Sequence, residues 1–298
     1  MAHLIPSSEM AGRNPSRKFM LPCQKWVDKG KDTSEWLEIR AALSDRHPVL
    51  SGIMEKRKAV VVKYGPPKDI HHEYDISKDI QTLPNMIRFY CSFVCKEGVL
   101  AGRDFNKHPY LCATTGDDVG FIAMPHIPLG SMNHVRWTRG NLEALKSVTQ
   151  QVCCAILYAF ERVGFLHNDL HLSNVLLKKT AKSSERYGAY SVNVDTYYAV
   201  LMDFGRSGTV AHPSLSVKIP VPQPLHVYTE ISHILNRLNL LDHSDLQFTF
   251  DIEPIRSYIS NNTPIDGSVY ETVCRIIDSI TVLYSKSEVL KRTMQEKE

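Results

Sequence analysis

Hydrophobic and polar positions change their spacing near the middle of the chain. The first part contains short, largely apolar segments of strand length that are bounded by charged or turn-forming residues. Five such segments are predicted to be strands: 35–40, 48–54, 59–64, 86–95 and 119–124. The segment 59–64 is the clearest, because it is a continuous run rich in valine. Between it and the fourth strand, residues 69–82 have mixed helical spacing, and we predict a short helix there.

Beyond residue 131 the spacing becomes helical. Apolar residues recur along one broad face of 141–163, and Gly164 follows as a candidate helix end. Three further helical patterns are predicted near 226–241, 251–261 and 268–293. Strands followed by helices are typical of an α+β fold built from two structurally different parts.

A run rich in turn residues, 124–131, lies where this change occurs, and we interpret it as a connection between two lobes. The polar residues 1–32 predict a flexible arm. We therefore expect a first lobe over 33–127 and a second, mainly helical lobe over 128–298.

Composition narrows the class of protein. The 298 residues are 43% hydrophobic and 22% charged, as in ordinary globular proteins. A net charge of +3 is too small to predict a nucleic-acid partner. The apolar runs are too short to cross a membrane, and the N-terminus lacks the apolar core of a signal peptide. We expect a monomeric cytoplasmic protein.

The seven cysteines support the same expectation. Cys153 and Cys154 are adjacent within a helical pattern, which is typical of buried, reduced thiols in a cytosolic protein. Cys91 and Cys95 lie in a predicted strand, and no second pair of Cys or His with zinc-finger spacing follows. We therefore predict core cysteines there in preference to a zinc site.

Two motifs carry the strongest chemical signal. His167-Asn168-Asp169 precedes Asn174 by a short loop, and Asp203-Phe204-Gly205 follows downstream. Each motif adjoins an apolar run with strand character. Phosphoryl transfer from ATP requires this order of groups. Asp169 would accept or orient the proton of the attacking hydroxyl, and Asn174 and Asp203 would hold the Mg²⁺ ions that bridge the phosphates.

The two histidines near Asp169 have different expected roles. His167 is predicted to be structural, with its ring against the Asp203-Phe204-Gly205 segment and a hydrogen bond to the backbone, because Asp169 already supplies a base. Two roles are considered for His171: contact with the transferred phosphoryl group, or a neutral histidine in the loop without a catalytic role.

Lys63 ends the clearest predicted strand, where a lysine is costly without a partner. We predict that it pairs with the ATP phosphates and with a helix glutamate. Glu73 is the preferred partner, and Asp75 and Asp79 are competitors on the same helix.

The connection between the lobes is the predicted adenine site. Backbone groups of Met124, His126 and Ile127 would contact the base, and apolar side chains would lie above and below it.

Taken together, these motifs resemble the protein-kinase superfamily over about residues 35–240. The residues that carry the resemblance are Lys63, Glu73, the run 124–130, His167-Asn168-Asp169 with Asn174, and Asp203-Phe204-Gly205. Residues 169–179 are similar to haspin, and 73–91 are similar to kinase-like proteins of large DNA viruses. The resemblance implies a two-lobed fold, with an antiparallel sheet and one helix in the first lobe. It also implies ATP and Mg²⁺ in the cleft, and transfer to serine or threonine of a protein substrate. A viral protein of this kind would act in the host cytoplasm or virion.

Several positions depart from the superfamily pattern. Ser44-Asp45-Arg46-His47 occupies the place of the glycine-rich loop, and His171 replaces a lysine, as in aminoglycoside and choline kinases. Residues 180–197 form an insertion, which predicts a hairpin or a mobile loop. No Ala-Pro-Glu motif follows Gly205, so regulation by activation-loop phosphorylation is not expected. An atypical Ser/Thr protein kinase is the preferred function. The alternatives are a small-molecule kinase and a catalytically silent pseudokinase scaffold.

Overall fold

The computed structural model describes residues 23–28, 36–43, 49–95, 118–219, 221–240 and 246–285. The fold is of the α+β class, as predicted, and its described residues group into two compact units. The first unit comprises residues up to 67 together with 89–124, and the second comprises 68–88 together with 125 onward. Residues 68–88 were expected in the first lobe. They belong to the second unit because their backbone pairs with it, as Ile87 N–H does with the carbonyl of Leu201.

The first unit is built on a five-stranded sheet with the order β1-β2-β3-β5-β4. Its elements are α1 (Cys23–Asp28), β1 (Leu37–Ala42), β2 (Val49–Met54), β3 (Lys58–Gly65), β4 (Cys91–Cys95) and β5 (Val119–Pro125). The β1–β2, β2–β3 and β4–β5 pairs are antiparallel. The predicted strand 86–95 is shorter than expected, because only Met86 of its first half makes a bridge, and that bridge is to Leu201.

One face of this sheet forms the core of the first unit. Alternate residues of β3, Val60 and Val62, point into it. Phe93 stacks on Phe121 with ring centroids 5.0 Å apart, and Trp36 meets Phe93 edge-on at 5.2 Å. Such aromatic pairs add to the stabilisation from apolar burial alone.

A disulfide joins Cys23 of α1 to Cys91 of β4. Cys91 and Cys95 are buried in the core, as predicted, but Cys95 is also disulfide-bonded, so neither of them is a reduced thiol. Sequence spacing could not reveal the pairing, because the two cysteines are 68 residues apart and meet only through tertiary packing. Cys153, Cys154 and Cys274 are free and buried, as predicted for the adjacent pair.

The second unit is mainly helical and carries three two-stranded ladders, β6–β9, β7–β8 and β10–β11. Its helices are α2 (Pro67–Ile80), α3 (Leu142–Val163), α4 (Pro224–Arg237), α5 (Glu253–Asn261) and α6 (Gly267–Asp278). Its strands are β6 (Val175–Lys179), β7 (Ser184–Tyr187), β8 (Tyr190–Asn193), β9 (Tyr197–Leu201), β10 (Leu246–Thr249) and β11 (Thr281–Ser285).

Helix α3 is the most deeply buried element of the second unit, with both a broad apolar face and several buried polar side chains. It ends where the sequence predicts. Gly164 adopts a left-handed conformation with φ of 65°, and its N–H bonds to carbonyls of the last turn. A residue with a Cβ would be strained there.

The insertion 180–197 contains the β7–β8 hairpin, in agreement with the hairpin alternative. Its Tyr187 is 1% exposed, and its hydroxyl donates to Oδ1 of Asn85 at 2.5 Å. Asn85 in turn donates to the carbonyl of Ala199 and to Gln151 of α3. Because this polar network is buried and satisfied, it holds the hairpin against α3.

The prediction of a helix over 268–293 is only partly correct. Helix α6 ends at Asp278, and residues 281–285 form β11, which pairs antiparallel with β10. Neither of these strands was predicted. The sequence Thr281-Val282-Leu283-Tyr284 favours a strand once a partner is available. Residues 286–293 of the predicted helix, the predicted arm apart from 23–28, and residues 44–48 lie outside the described residues.

Candidate active site

The β6–β9 ladder brings Asn174 and Asp203 to one end of the second unit. Val175 pairs with Leu201 in the antiparallel register, and the N–H of Met202 donates to the carbonyl of Asn174 at 3.0 Å. The two predicted metal ligands are 29 positions apart in sequence. Asn174 directly precedes Val175, and Asp203 follows Leu201 by two residues. The predicted association of these two residues therefore has a structural basis in strand pairing.

The same end of the ladder holds the loop that carries Asp169. The side-chain amide of Asn174 donates through Nδ2 to the carbonyl of Asp169 at 3.0 Å. This bond leaves Oδ1 of Asn174 as its ligand atom. On the other side, Nη1 of Arg206 lies 3.6 Å from Oδ1 of Asp169, and the carboxylate remains partly exposed. Asp169 is thus fixed through its backbone and accessible through its side chain.

Glu230 of α4 supports the loop from the protein interior. Its carboxylate accepts hydrogen bonds from the backbone N–H groups of His167, at 3.2 Å, and Asn168, at 2.5 Å. Asn168 has φ of 59°, a left-handed conformation that asparagine tolerates better than most other non-glycine residues. Burial raises the pKa of Glu230 from 4.5 to about 7, against the opposing effect of the two N–H donors.

His167 has the structural role that the sequence predicts. Its ring is fully buried, and Nε2 donates to the carbonyl of Met202 at 3.0 Å. It packs edge-on against Phe165 and Phe204, at centroid distances of 6.2 and 5.9 Å. Burial lowers the pKa of His167, so the imidazole is held in its neutral form.

The turn at Asp203-Phe204-Gly205 is joined to the loop by several bonds. Asp203 has φ of 65°, and the N–H of Phe204 donates to Oε1 of Glu73 at 3.2 Å. Nδ2 of Asn168 donates to the carbonyl of Arg206 at 3.1 Å. A strained aspartate held by its neighbours is the pattern expected of a residue selected for position over stability.

Helix α2 distinguishes Glu73 from its two competitors. Glu73 is 1% exposed, whereas Asp75 forms an exposed ion pair with Lys78 at 2.6 Å. Asp79 accepts a hydrogen bond from the hydroxyl of Thr209 at 2.7 Å. A buried carboxylate requires compensating partners, and Glu73 is the one of the three that lies in such a position.

The remaining predicted residues are distributed over both units. Lys63 lies on β3 with its Cα opposite Val49, on the face of the sheet away from the buried Val62. Met124 is buried near the end of β5. The structure assigns Lys63 and Met124 to the first unit, and the remaining predicted site residues belong to the second: Glu73, His126, Ile127, Asp169, His171, Asn174 and Asp203.

Backbone hydrogen bonds shape the chain at His171 and in the run 124–131. His171 is half-buried, and its carbonyl accepts from the N–H of Asn174 at 2.9 Å. After the exposed His126, the carbonyl of Ile127 accepts from the N–H of Gly130 at 3.2 Å, which turns the chain toward β6.

The donor set matches a hard cation that shares its coordination with phosphate. Asn174 and Asp203 offer amide and carboxylate oxygens, which Mg²⁺ prefers, and Mg²⁺ normally completes its shell with water and substrate phosphates. Within the described ranges, no group of three or more His, Cys, Asp or Glu side chains could hold a metal. The amide oxygen of Asn174 and the carboxylate of Asp203 are of the type that a Mg²⁺ ion shared with a phosphate would require, and the ion would supply charge neutralisation there.

Glu230 and Arg206 were not identified from sequence. Glu230 is the single acidic residue of α4, a weak signal without knowledge of which loop the helix meets. Arg206 follows the Asp203-Phe204-Gly205 motif directly, but only its 3.6 Å approach to Asp169 gives it a place in the site.

No protein-family model matches this chain, and no characterised protein matches it significantly. In the part of the chain that is described, no helix is both long enough and apolar enough to cross a membrane.

Proposed function

We propose that the protein is an ATP-dependent phosphotransferase, and specifically an atypical Ser/Thr protein kinase. In this proposal it has a two-lobed protein-kinase fold, with the five-stranded sheet in one lobe and helices α3 to α6 in the other. The single observation that carries the proposal is the meeting of Asp169, Asn174 and Asp203 at one end of the β6–β9 ladder. These are the groups that phosphoryl transfer requires, and they converge from separate parts of the sequence.

Asp169 is the residue that contacts the attacking hydroxyl. Its backbone is held by Asn174, and the preceding residues are held by Glu230, so its carboxylate is positioned before substrate arrives. Positioning and electrostatic stabilisation account for most of the catalysis in this reaction class. Bound Mg²⁺ would neutralise phosphate charge, with Asn174 and Asp203 as its protein ligands. Lys63 is assigned to the nucleotide phosphates, and Met124, His126 and Ile127 to the adenine.

The test is transfer of labelled γ-phosphate from Mg-ATP to generic protein substrates and to the protein itself. Asp169→Asn keeps the size of the side chain but removes the base, so we expect transfer to fall by at least about 100-fold, in the range of a general base. Asp195→Asn removes an exposed aspartate next to the β7–β8 hairpin and serves as the matched control. Equal activity of Asp169→Asn and the native protein would refute the role of Asp169.

A small-molecule kinase is the second candidate, and His171 is the observation that favours it. An acceptor screen that includes aminoglycosides and choline separates the two functions, since both use the same Asp169. Nucleotide binding without transfer to any acceptor would instead support the pseudokinase scaffold.

A further inference from the structure

Helix α4 presents a polar stripe toward the loop that carries Asp169. His226, Glu230, His233 and Arg237 follow one another at separations of four, three and four residues, which places them along one side of a helix. Glu230 is bonded to the backbone N–H groups of His167 and Asn168. The bonds of Glu230 therefore fix which side of α4 faces the loop, and its stripe neighbours lie on that same side.

The one carboxylate of this stripe is bound to the backbone of the loop. Glu230 is the only acidic residue in α4, and its carboxylate is occupied by two backbone donors. The other stripe positions are basic or neutral donors. Arg237 donates through Nε to Nε2 of His233 at 2.5 Å, which leaves Nδ1–H of the exposed His233 as an outward donor.

Two further basic side chains lie beside Asp169. His171 follows Asp169 by two residues. The pKa of His233 is lowered by burial first, then by Arg237 and by the nearby His171. Arg206 approaches Asp169, and its guanidinium is 56% exposed. The exposed rim beside Asp169 is thus formed by cationic and donor groups from the loop, from α4 and from the segment after Asp203.

We propose that this basic rim, formed by His171, Arg206, His233 and Arg237, binds acidic residues that flank the acceptor hydroxyl of a protein substrate. The inference rests on the proposed kinase function and names its substrate class: serine or threonine within an acidic segment. Complementary charge at the edge of a binding site contributes specificity and association rate more than total affinity. Carboxylates of the substrate would take the guanidinium and imidazole donors that the protein itself leaves unused.

The test compares two fluorescent peptides of equal length, each with one serine, flanked by glutamates in one and by lysines in the other. Binding is measured by anisotropy at low salt, independently of phosphate transfer. We expect the acidic peptide to bind about tenfold more tightly, as a few exposed ion pairs of 0.2–1 kcal/mol each allow. The preference should decline as salt is raised.

The double substitution His233→Glu with Arg237→Glu should abolish or invert this preference. Arg275→Glu, which reverses one charge at an exposed position of α6, is the control and should leave the preference intact. Thermal unfolding of both variants establishes that each is folded. Equal binding of the two peptides, or a preference that survives the double substitution, would overturn the inference.

Phosphate transfer to the same peptides separates this inference from the proposed function. Preferential binding without transfer to any acceptor would support the basic rim and count against the kinase. Transfer at equal kcat/KM to both peptides, with equal binding, would support the kinase and refute the rim.

Discussion

Replacing Glu230 by glutamine should change how stability depends on pH. The carboxyl group is held in a partly buried position beneath the Asp169 loop, where burial raises its pKa from 4.5 to about 7. At 1.36 kcal/mol per pKa unit, this rise corresponds to about 3 kcal/mol as an upper bound, since the side chain keeps some contact with solvent.

The direction of the pH dependence follows from the raised pKa of Glu230. In the unfolded chain Glu230 ionises near 4.5, whereas in the folded protein it ionises near 7. Its favourable contribution is therefore complete below about pH 4.5 and is lost as pH rises through 7. Glutamine keeps an acceptor for one of the two N–H donors and turns an amide donor toward the other, at a cost that does not depend on pH, because it does not titrate. We expect the free energy of unfolding of Glu230→Gln to rise by about 2 kcal/mol relative to that of the native protein between pH 5 and pH 8.

Urea unfolding of both proteins between pH 5 and 8 measures this difference directly. Glu271→Gln, at an exposed position of α6, controls for the general loss of a negative charge. Two results would contradict this reasoning: a stability difference that stays constant across this range, or a native protein that gains stability with rising pH relative to the variant. Either would show that the two N–H donors balance or outweigh the effect of burial on the pKa.

Substitutions at three other positions test the packing of the two units. Asn85→Ala removes buried hydrogen bonds at a residue with φ of 62° and should lower the free energy of unfolding by about 2–4 kcal/mol. Asn85→Gly should cost about 1 kcal/mol less, because glycine adopts this φ without strain. Equal losses of the two variants in urea unfolding would contradict the backbone argument. Cys23→Ser removes the disulfide to Cys91, which closes a loop between cysteines 68 residues apart, and should lower the free energy of unfolding by about 4 kcal/mol. Thermal unfolding of the native protein and the variant without reductant checks this, and an unchanged melting temperature would contradict it. Gly164→Ala places a Cβ 2.6 Å from Val210 Cγ2 at a left-handed φ and should lower stability by about 1–2 kcal/mol; an unchanged melting temperature would refute the steric argument.

The local elements were largely predictable from the sequence. Strand β3 and helix α3 have strong, uninterrupted patterns, and their bounds agree with the prediction to within about two residues. The fold class and the Gly164 helix end also follow from local spacing and backbone chemistry. By contrast, β11 was missed because its four described ladder partners come from β10, more than thirty residues earlier.

The partners of buried polar groups were less predictable. Glu73 could be chosen over Asp75 and Asp79 only as a preference, because all three occupy one helical segment. Burial and the hydrogen bond from Phe204 distinguish it, and both are consequences of how α2 packs. The Cys23–Cys91 disulfide shows the same limit, since a cysteine pattern alone does not specify connectivity.

The sequence by itself determined which chemical groups are present and in what order: Asp169, Asn174 and Asp203, each beside an apolar strand. Only the tertiary structure decided how they are held. Strand pairing brings Asn174 and Asp203 together, and Glu230 of α4 binds the loop before Asp169. The physical reason is that residue identity and local periodicity are properties of the chain. Burial, hydrogen-bond partners and pKa depend on segments that meet only after folding.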